Sequence, residues 1–235
     1  FYQRIKNKGH ILAASKVAAH LSFAFLPTGM IYSQKLIVFD LQSHASFASL
    51  QCRLHEEWVR FCGGVRGDGF SYTPSDCFET CPFPKNLEDH RTLENAGKAY
   101  YDFRADFMVK NDEGLTKTYN RFHDPEERDP DILKLRELHA AMDHAVLKAH
   151  GWGDILTECA FLLDYEIDEE NWNPRKKKPY RYRWPDEVRD EVLARLLELN
   201  KQRAAEEARL GAATAKSGKL REPRASYGRE ICSHE

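Results

Sequence analysis

The sequence has no excess of positive charge. Its 235 residues contain 35 lysines and arginines against 37 aspartates and glutamates, which gives a formal net charge of −2. Domains that bind nucleic acid usually carry a pronounced positive excess. A chain with this balance can contact a polyanion only through a local cluster of basic residues, so the distribution of lysine and arginine matters more than their number.

Long apolar runs and a secretion signal are also lacking. No stretch approaches the ~18 consecutive apolar residues needed to cross a bilayer, and the basic residues near the start lead into no cleavage-site pattern. We therefore expect no membrane partner. The six cysteines are too few for a disulfide scaffold in a chain of this length, which favours a reduced, cytoplasmic setting. The chain begins at Phe1 and not at an initiator methionine, so we expect it to be part of a longer protein.

The common enzyme signatures are missing as well. The sequence contains no glycine-rich phosphate loop, no HExxH zinc motif and no GxSxG nucleophile turn. A few possible metal ligands lie close together, but no pair of them has the CxxC spacing of a structural zinc site. The cysteines among them are better interpreted as small buried apolar residues. We therefore expect neither catalysis, nor a metal, nor a bound cofactor in this chain. The possible ligands are Cys52, His55, Cys62, Cys77 and Cys81.

Residues 1–84 have a mixed pattern. Alternating apolar residues over 21–25 and an apolar run over 36–39, separated by a Pro-Thr-Gly break, predict two strands joined by a turn. Apolar residues spaced three and four apart over 47–61, followed by two glycines, predict one amphipathic helix of about five turns. Closely spaced prolines predict a rigid loop without helix over 76–84.

Helical signals dominate the middle of the chain. Asp129 and Pro130 place a capping carboxylate before a proline at the first helical position. An apolar stripe follows and ends at Gly151, which is the residue type that most often terminates a helix. The pattern also predicts a helix over 100–108.

A third region predicts a long helix that begins at 184–187, where a proline and two acidic residues occupy the first turn. Beyond about Leu210 the composition turns to Gly, Ala, Ser, Lys and Arg without periodicity, and we expect a disordered tail over 211–235. The predicted fold class is therefore α+β, with a small mixed β/α lobe over 1–84 and a mostly helical lobe over 85–210. We expect the strands to be confined to the first lobe.

Basic residues gather at several places and are the candidates for phosphate contacts. The run 175–183 reads RKKKPYRYR, in which cations stand beside aromatic rings that can pack on sugar or base. A lysine run is equally compatible with a solvated loop, and the acidic run 164–170 is a possible neutralising neighbour. The candidate DNA-contacting residues are Lys16, Lys35, Arg53, Arg60, Arg66, Arg175, Lys176, Lys177, Lys178, Arg181 and Arg183.

Five stretches, taken in order, resemble a known family. They read SYTPSDCFETCPFP, YYDFRADFM, GLTKTYNRFHDP, LRELHAAMDHAVLKAHGW and PYRYRWPDEVRDEVLARLLELN. This order is similar to the C-terminal part of large bacterial adenine-N6 DNA methyltransferases, which include type II restriction–modification enzymes and related phage-defence methylases. The resemblance extends from about residue 15 to residue 210. One departure is Cys81, which stands where we expect a phenylalanine and reduces the packing volume there.

The resemblance implies a division of labour. In such enzymes an upstream domain binds S-adenosylmethionine and methylates adenine, while the region resembled here supplies target recognition and a helical support. The loop that would hold a flipped base, Asn/Asp-Pro-Pro-aromatic, has no counterpart, since Asn173 and Pro174 are followed by Arg175. The expected partners are therefore double-stranded DNA and the missing upstream methyltransferase domain.

Two functional interpretations remain open at this point. The first is a DNA-target-recognition module, with 1–84 as the recognition lobe and 85–210 as its helical support. The second is a helical protein-interaction or scaffolding module whose long helix pairs with a partner, which agrees with the near-neutral charge. A dependence of DNA affinity on salt distinguishes them, because only phosphate contacts require it.

Overall fold

The computed structural model describes residues 2–66, 69–167, 172–173 and 176–215, and at 64–66 and 211–215 it describes the backbone alone. The fold is α+β, as predicted. The helices are α1 (Tyr2–Ile5), α2 (His44–Gln51), α3 (Arg53–Cys62), α4 (Pro74–Cys77), α5 (Arg91–Asn111), α6 (Leu115–Phe122), α7 (Pro130–Ala149) and α8 (Asp186–Ala215), with a 3-10 turn at Leu87–Asp89. The strands are β1 (His10–Ser15), β2 (Val17–Ala18), β3 (Phe23–Pro27), β4 (Leu36–Phe39), β5 (Gly64–Arg66), β6 (Gly69–Ser71), β7 (Ala160–Leu163) and β8 (Tyr180–Arg183).

The first sheet has the antiparallel order β3-β1-β4. Leu12 of the central strand faces Phe25 on one side and Phe39 on the other. Both predicted strands exist, and β1 lies between them. Strand β1 was not predicted, because its four inner residues are all buried. A strand buried on both faces lacks the alternation of apolar and polar residues that indicates a half-buried strand.

Two further antiparallel sheets complete the β structure of the described residues. One has the order β2-β6-β5, and the other pairs β7 with β8. The β7–β8 pair lies well beyond residue 84, so the expectation that strands are confined to the first lobe is wrong. The sequence YRYR of β8 alternates its side chains between the two faces, with Arg181 buried and Tyr180 exposed.

The predicted helix over 47–61 is two helices. The chain leaves helical geometry at Cys52, whose φ of −68° and ψ of 159° are extended. The backbone N–H groups at the break both have acceptors. The N–H of Cys52 donates to the carbonyl of Ala48, and the N–H of Arg53 donates to the carboxylate of Asp143 at 2.8 Å. A partner ninety residues away therefore stabilises a break that has no glycine or proline.

The helices of the middle region agree with the sequence. Asp129 caps α7 by accepting a hydrogen bond from the N–H of Asp131, with Pro130 at the first helical position. Gly151 adopts a left-handed φ of 81° just after the helix end. The predicted helix over 100–108 is the centre of the longer α5. The prediction of a loop without helix over 76–84 is wrong for residues 76 and 77, which belong to α4. This helix begins at Pro74, and proline is tolerated at the first helical position.

One apolar core crosses the predicted lobe boundary at residue 84. Helix α2 packs against α5 and α7, and α3 packs against α7 and α8. Phe47 of α2 stacks on Tyr100 of α5 with ring centroids 6.2 Å apart. The division at 84 itself stays a prediction.

The long helix α8 begins where the sequence predicts. Val192 and Leu196, which lie four residues apart and so on one face of the helix, are fully buried. The helix continues to Ala215, five residues into the predicted tail, and 216–235 lie outside the described residues. No helix within the described ranges has the length and apolar character needed to span a membrane.

Candidate nucleic-acid interface

Lys16 and Lys35 form a pair at the end of the first sheet. The N–H of Lys16 donates to the carbonyl of Lys35 at 2.8 Å, one step beyond the last pair of the β1–β4 ladder. Residues opposite each other in an antiparallel pair direct their side chains to the same face. Both lysines are exposed, and among the described residues neither ammonium group has an ion-pair partner. The structure thus brings together two predicted residues that are nineteen positions apart.

Arg53 is not part of the surface. Its side chain is buried, and Nη1 lies 2.5 Å from Oδ2 of Asp143 and 2.7 Å from Nδ1 of His139. The guanidinium also lies over the ring of Tyr182 at 5.2 Å. A buried and paired guanidinium cannot reach a phosphate, so the assignment of Arg53 to the DNA-contacting residues is corrected.

Arg60 and Arg181 share two carboxylates at the junction of α3 and β8. Both contact Glu56 at 3.3 Å, and both contact Asp164, at 3.0 Å and 3.1 Å respectively. Burial opposes ionisation of Glu56, but these arginines hold its pKa below the ordinary value. Both guanidinium groups also lie over the ring of Phe70 in β6. The two arginines therefore tie α3, β6 and β8 together, and Arg181, which is buried, is likewise corrected as a DNA-contacting residue.

An open cleft of about 430 Å³ lies between α6 and the segment that precedes β8. Lys177 and Lys178 line one side, and Lys117 of α6 lines the other. Lys177 extends into solvent, but its ammonium group is 2.6 Å from Oδ2 of Asp124. This hydrogen bond is the main reason why the pKa of Asp124 is below its ordinary value. Asp124 is thus the acidic partner of Lys177, while Asp164 of the predicted acidic run pairs with arginines. Residues 168–170 of that run lie outside the described residues.

His20 and Asn120 form the floor of the cleft. Nε2 of His20 lies 2.7 Å from Oδ1 of Asn120, so this nitrogen donates and Nδ1 carries the lone pair. Nδ1 is buried and has no hydrogen-bond partner in the described part of the chain. The ring stacks on His123 with centroids 5.2 Å apart. Burial lowers the pKa of His20 below its ordinary value, which favours the neutral ring. The cations that line the cleft are its three lysines and Arg121, and Arg121 is paired with carboxylates.

The remaining predicted residues are dispersed. Lys176 is exposed, and its N–H donates to the carbonyl of Asn173. Arg183 is half-buried and pairs with Asp186 at 2.6 Å at the start of α8. Arg66 belongs to β5, where the description is limited to the backbone, and Arg175 lies outside the described residues.

Sequence reasoning missed the residues that complete the cleft. Lys117, Asn120 and His20 are isolated in the sequence, and folding alone places them opposite the lysine run. One usable signal was present, since GLTKTYN carries two of the three within a stretch already singled out. The possible metal ligands give no further site, because no group of three or more His, Cys, Asp or Glu in the described ranges could hold a metal ion.

Comparisons with known proteins concern the fold. No family model matches the chain, and no curated protein matches it. Among solved structures, the chain is similar to the Type IIL restriction–modification enzyme MmeI, whose structure was determined in complex with DNA. The TM-score is 0.57 at 17% sequence identity, over 84% of this chain and 22% of that chain. The chain therefore shares the fold of about a fifth of a restriction–modification enzyme.

Proposed function

We propose that this chain is the DNA-target-recognition part of a site-specific adenine-N6 DNA methyltransferase of the restriction–modification type. The observation that carries the proposal is the shared fold: 84% of the chain matches a part of an enzyme whose structure contains DNA. The five sequence stretches that resemble adenine-N6 methyltransferases support the same assignment independently of the coordinates.

The catalytic domain in this proposal lies upstream of the chain. S-adenosylmethionine would bind there, because the chain has neither the glycine-bearing loop for a methyl donor nor the loop that holds a flipped base. The isolated chain should therefore show no heat of binding when it is titrated calorimetrically with S-adenosylmethionine. Saturable micromolar binding would contradict this assignment.

The basic residues divide into two groups with different roles. Lys16, Lys35, Lys117 and Lys177 are exposed and Lys178 is half-buried. They can attract phosphates as point charges, although Lys117 and Lys177 each pair with a carboxylate at the surface. The arginines Arg53, Arg60 and Arg181 are engaged by carboxylates and rings inside the protein. Lysine thus provides the surface for DNA, and arginine holds the elements that present it.

A salt titration tests the proposal on the 235-residue chain. We expect its anisotropy-measured affinity for a labelled DNA duplex to fall steeply as salt rises. Replacement of Lys176, Lys177 and Lys178 by alanine should lower the slope of log affinity against log salt by up to about 0.9 for each phosphate that is no longer neutralised. Preference among DNA sequences should survive, because the interaction of lysine with phosphate carries no base information.

The matched control removes three lysines from other surfaces. Lys98, Lys110 and Lys134 are exposed on α5 and α7, and each forms an ion pair, at 2.7, 2.7 and 3.0 Å. Their triple alanine variant changes the net charge equally and should keep the slope of the wild type. An equal reduction in both variants would mean that net charge, and not the cleft, determines binding.

The scaffolding interpretation stays as the second candidate because of α8. Residues 204–210 of this helix are exposed along their whole length, so its end extends away from the core. A wild-type chain that binds no duplex DNA at any salt concentration would overturn the DNA proposal and favour this alternative.

A further inference from the structure

Positive charge is segregated in the first part of the chain. Residues 1–52 contain five lysines and arginines and one acidic residue, Asp40, although the whole chain is slightly negative. Asp40 is already engaged by two of the five, since it accepts hydrogen bonds from Arg4 and Lys8. The first sheet and its loops therefore form a positively charged surface, which the net charge of the chain conceals.

The loop between β3 and β4, residues 28–35, exposes apolar side chains on this surface. Ile31 is 91% exposed and Met30 is 46% exposed. An isoleucine with nearly its whole surface in water contributes almost no apolar burial to the fold, and its side chain is accessible to a partner.

The loop is held rigidly in spite of its exposure. The hydroxyl of Tyr32 donates to the carbonyl of Pro27 at 2.5 Å, and its ring stacks on Tyr2 with centroids 6.2 Å apart and planes 7° from parallel. The hydroxyl of Thr28 donates to the carbonyl of Lys8. Contacts on both sides of Met30 and Ile31 thus fix the position of the apolar pair before any partner binds, which lowers the entropic cost of binding.

Lys35 is the last residue of the same loop, and Lys16 lies opposite it. The loop crosses from one end of the sheet to the other, because Pro27 before it pairs with His10 and Leu36 after it pairs with Ser15, so the two lysines lie at the end of the loop remote from Thr28. Lys35 follows Ile31 by four residues, and the two lysines are cross-strand neighbours. Like charges directly opposite each other destabilise an antiparallel pair, and no acidic side chain of the described residues pairs with either lysine. A polyanion would remove this repulsion, so the charge of the site complements a sugar–phosphate backbone.

We propose that the β3–β4 loop enters a groove of duplex DNA, where Ile31 and Met30 contact the bases while Lys16 and Lys35 contact the flanking phosphates. The inference rests on the proposed function and adds a second contact surface, separate from the lysine cleft. Apolar side chains contact the methyl group of thymine in the major groove or insert between base steps in the minor groove. Either contact reads sequence, which lysine alone cannot do.

DNA fits this surface better than a lipid membrane does. The apolar pair provides only two side chains, whereas stable attachment to a bilayer requires a larger buried apolar area or a second anchor. A groove of DNA is narrow and is bordered by phosphates, which matches an exposed apolar pair that is followed four residues later in the loop by a pair of lysines.

The test compares two kinds of variant in duplex binding at several salt concentrations. Ile31→Ser should lower affinity about tenfold and leave the salt slope unchanged, because every lysine that neutralises a phosphate is still present. Ile31→Leu should restore most of the affinity. The double change Lys16→Ala and Lys35→Ala should instead lower the slope by up to about 0.9 for each phosphate involved. Leu156→Ser is the control, since Leu156 is an 83% exposed loop residue elsewhere in the chain, and it should bind like the wild type.

The outcomes separate this inference from the proposed function. If the wild type binds DNA with a steep salt slope and Ile31→Ser binds equally well, the groove contact is wrong and the proposed function stands. If the wild type binds no DNA, both are wrong. Binding of the wild type, but not of Ile31→Ser, to phosphatidylserine–phosphatidylcholine vesicles, with DNA affinity unaffected by the change, would overturn the inference in favour of a lipid surface.

Discussion

Arginine is a residue type that often contacts DNA, but the side chain of Arg53 is buried in the core of this protein. Its partner Asp143 is 1% exposed. Burial opposes ionisation of Asp143, but His139 and Arg53 hold its pKa below the ordinary value. The ion pair therefore joins α3 to α7 in the interior. A sequence shows that an arginine is present but not which carboxylate will lie against it, so Arg53 could not be distinguished from the exposed lysines.

Replacement of Arg53 by methionine should destabilise the fold severely. The change leaves Asp143 buried without its guanidinium partner, and breaking a buried pair in this way costs about 3–5 kcal/mol. Urea unfolding followed by circular dichroism measures the decrease in the free energy of unfolding. The double variant Arg53→Met with Asp143→Asn should recover part of it, because no unpaired charge then remains and the amide oxygen can still accept a hydrogen bond from the N–H of residue 53. A single variant as stable as the wild type would mean that water reaches Asp143.

The buried carboxyl group of Glu57 makes the stability of the fold decrease as the pH rises. Its side chain is buried, and burial together with the neighbouring Glu56 raises its pKa to about 7. The folded protein thus favours the protonated form. The favourable contribution is complete below the pKa of the unfolded chain, near 4.3, and is lost as the pH rises through about 7.

Glu57→Gln should therefore stabilise the protein at alkaline pH and not at acid pH. Above pH 7 the glutamine avoids the cost of a buried carboxylate, a gain of up to about 3 kcal/mol that disappears as the pH approaches the unfolded value. Thermal unfolding across this range measures the difference. The exposed Glu137→Gln is the control and should show no such trend. If the stabilisation by Glu57→Gln instead increased towards acid pH, the proposed direction of the pKa change would be wrong.

At the scale of elements, Gly97 sets the distance between α5 and α2. A Cβ atom at this position would lie 2.1 Å from the carbonyl oxygen of His44, which is a backbone atom that cannot rotate away. The close approach lets Phe47 and Tyr100 stack across the two helices. Gly97 drew no attention in the sequence, because a glycine within a helical pattern indicates only a local weakness of the helix.

Gly97→Ala should destabilise the protein although alanine is the better helix former. Helix propensity favours the change by about 1 kcal/mol, but overpacking typically costs about 1–3 kcal/mol and here requires a shift of backbone. We expect a lower melting temperature. Gly153→Ala is the matched control, because a Cβ atom there meets nothing within 4 Å. Equal effects of the two substitutions would contradict the steric argument.

Elements with strong local signals were predictable, and elements defined by distant contacts were not. Helix α7 has a capping residue and an apolar stripe in the sequence itself, helix α8 has acidic residues in its first turn, and both begin where these signals predict. Strand β1 is buried on both faces, and the break at Cys52 depends on Asp143 of α7. The same distinction applies to the candidate site: the lysine run is visible in the sequence, whereas its neighbours Asp124 and Lys117 come from another part of the chain.

On the scale of the whole molecule, polar contacts join the parts that the sequence divides at residue 84. Arg104 of α5 donates to the carbonyl of Phe23 at 2.6 Å and to Oε1 of Gln51 at 3.1 Å. Gln51 in turn accepts from the N–H of Phe23 at 3.0 Å. These groups are buried, so separation of the two parts would expose an arginine and several backbone groups whose partners lie across the boundary. The first sheet is consequently supported by α5, and the positively charged surface that it carries is fixed relative to the helices.

The shared core predicts that the first sheet and the helices unfold together. If residues 1–84 were an independent unit, β1 would open with a free energy well below that of α7. Since Phe47, Arg53 and Arg104 make their buried contacts across the boundary, opening of either part removes the core of the other. Native-state hydrogen exchange should therefore give the slowest amides of β1 and α7 the same opening free energy, equal to that of global unfolding. A lower value for β1 alone would show that the recognition lobe opens by itself, and the loop at 28–35 would then lack the rigid support on which its insertion into a DNA groove depends.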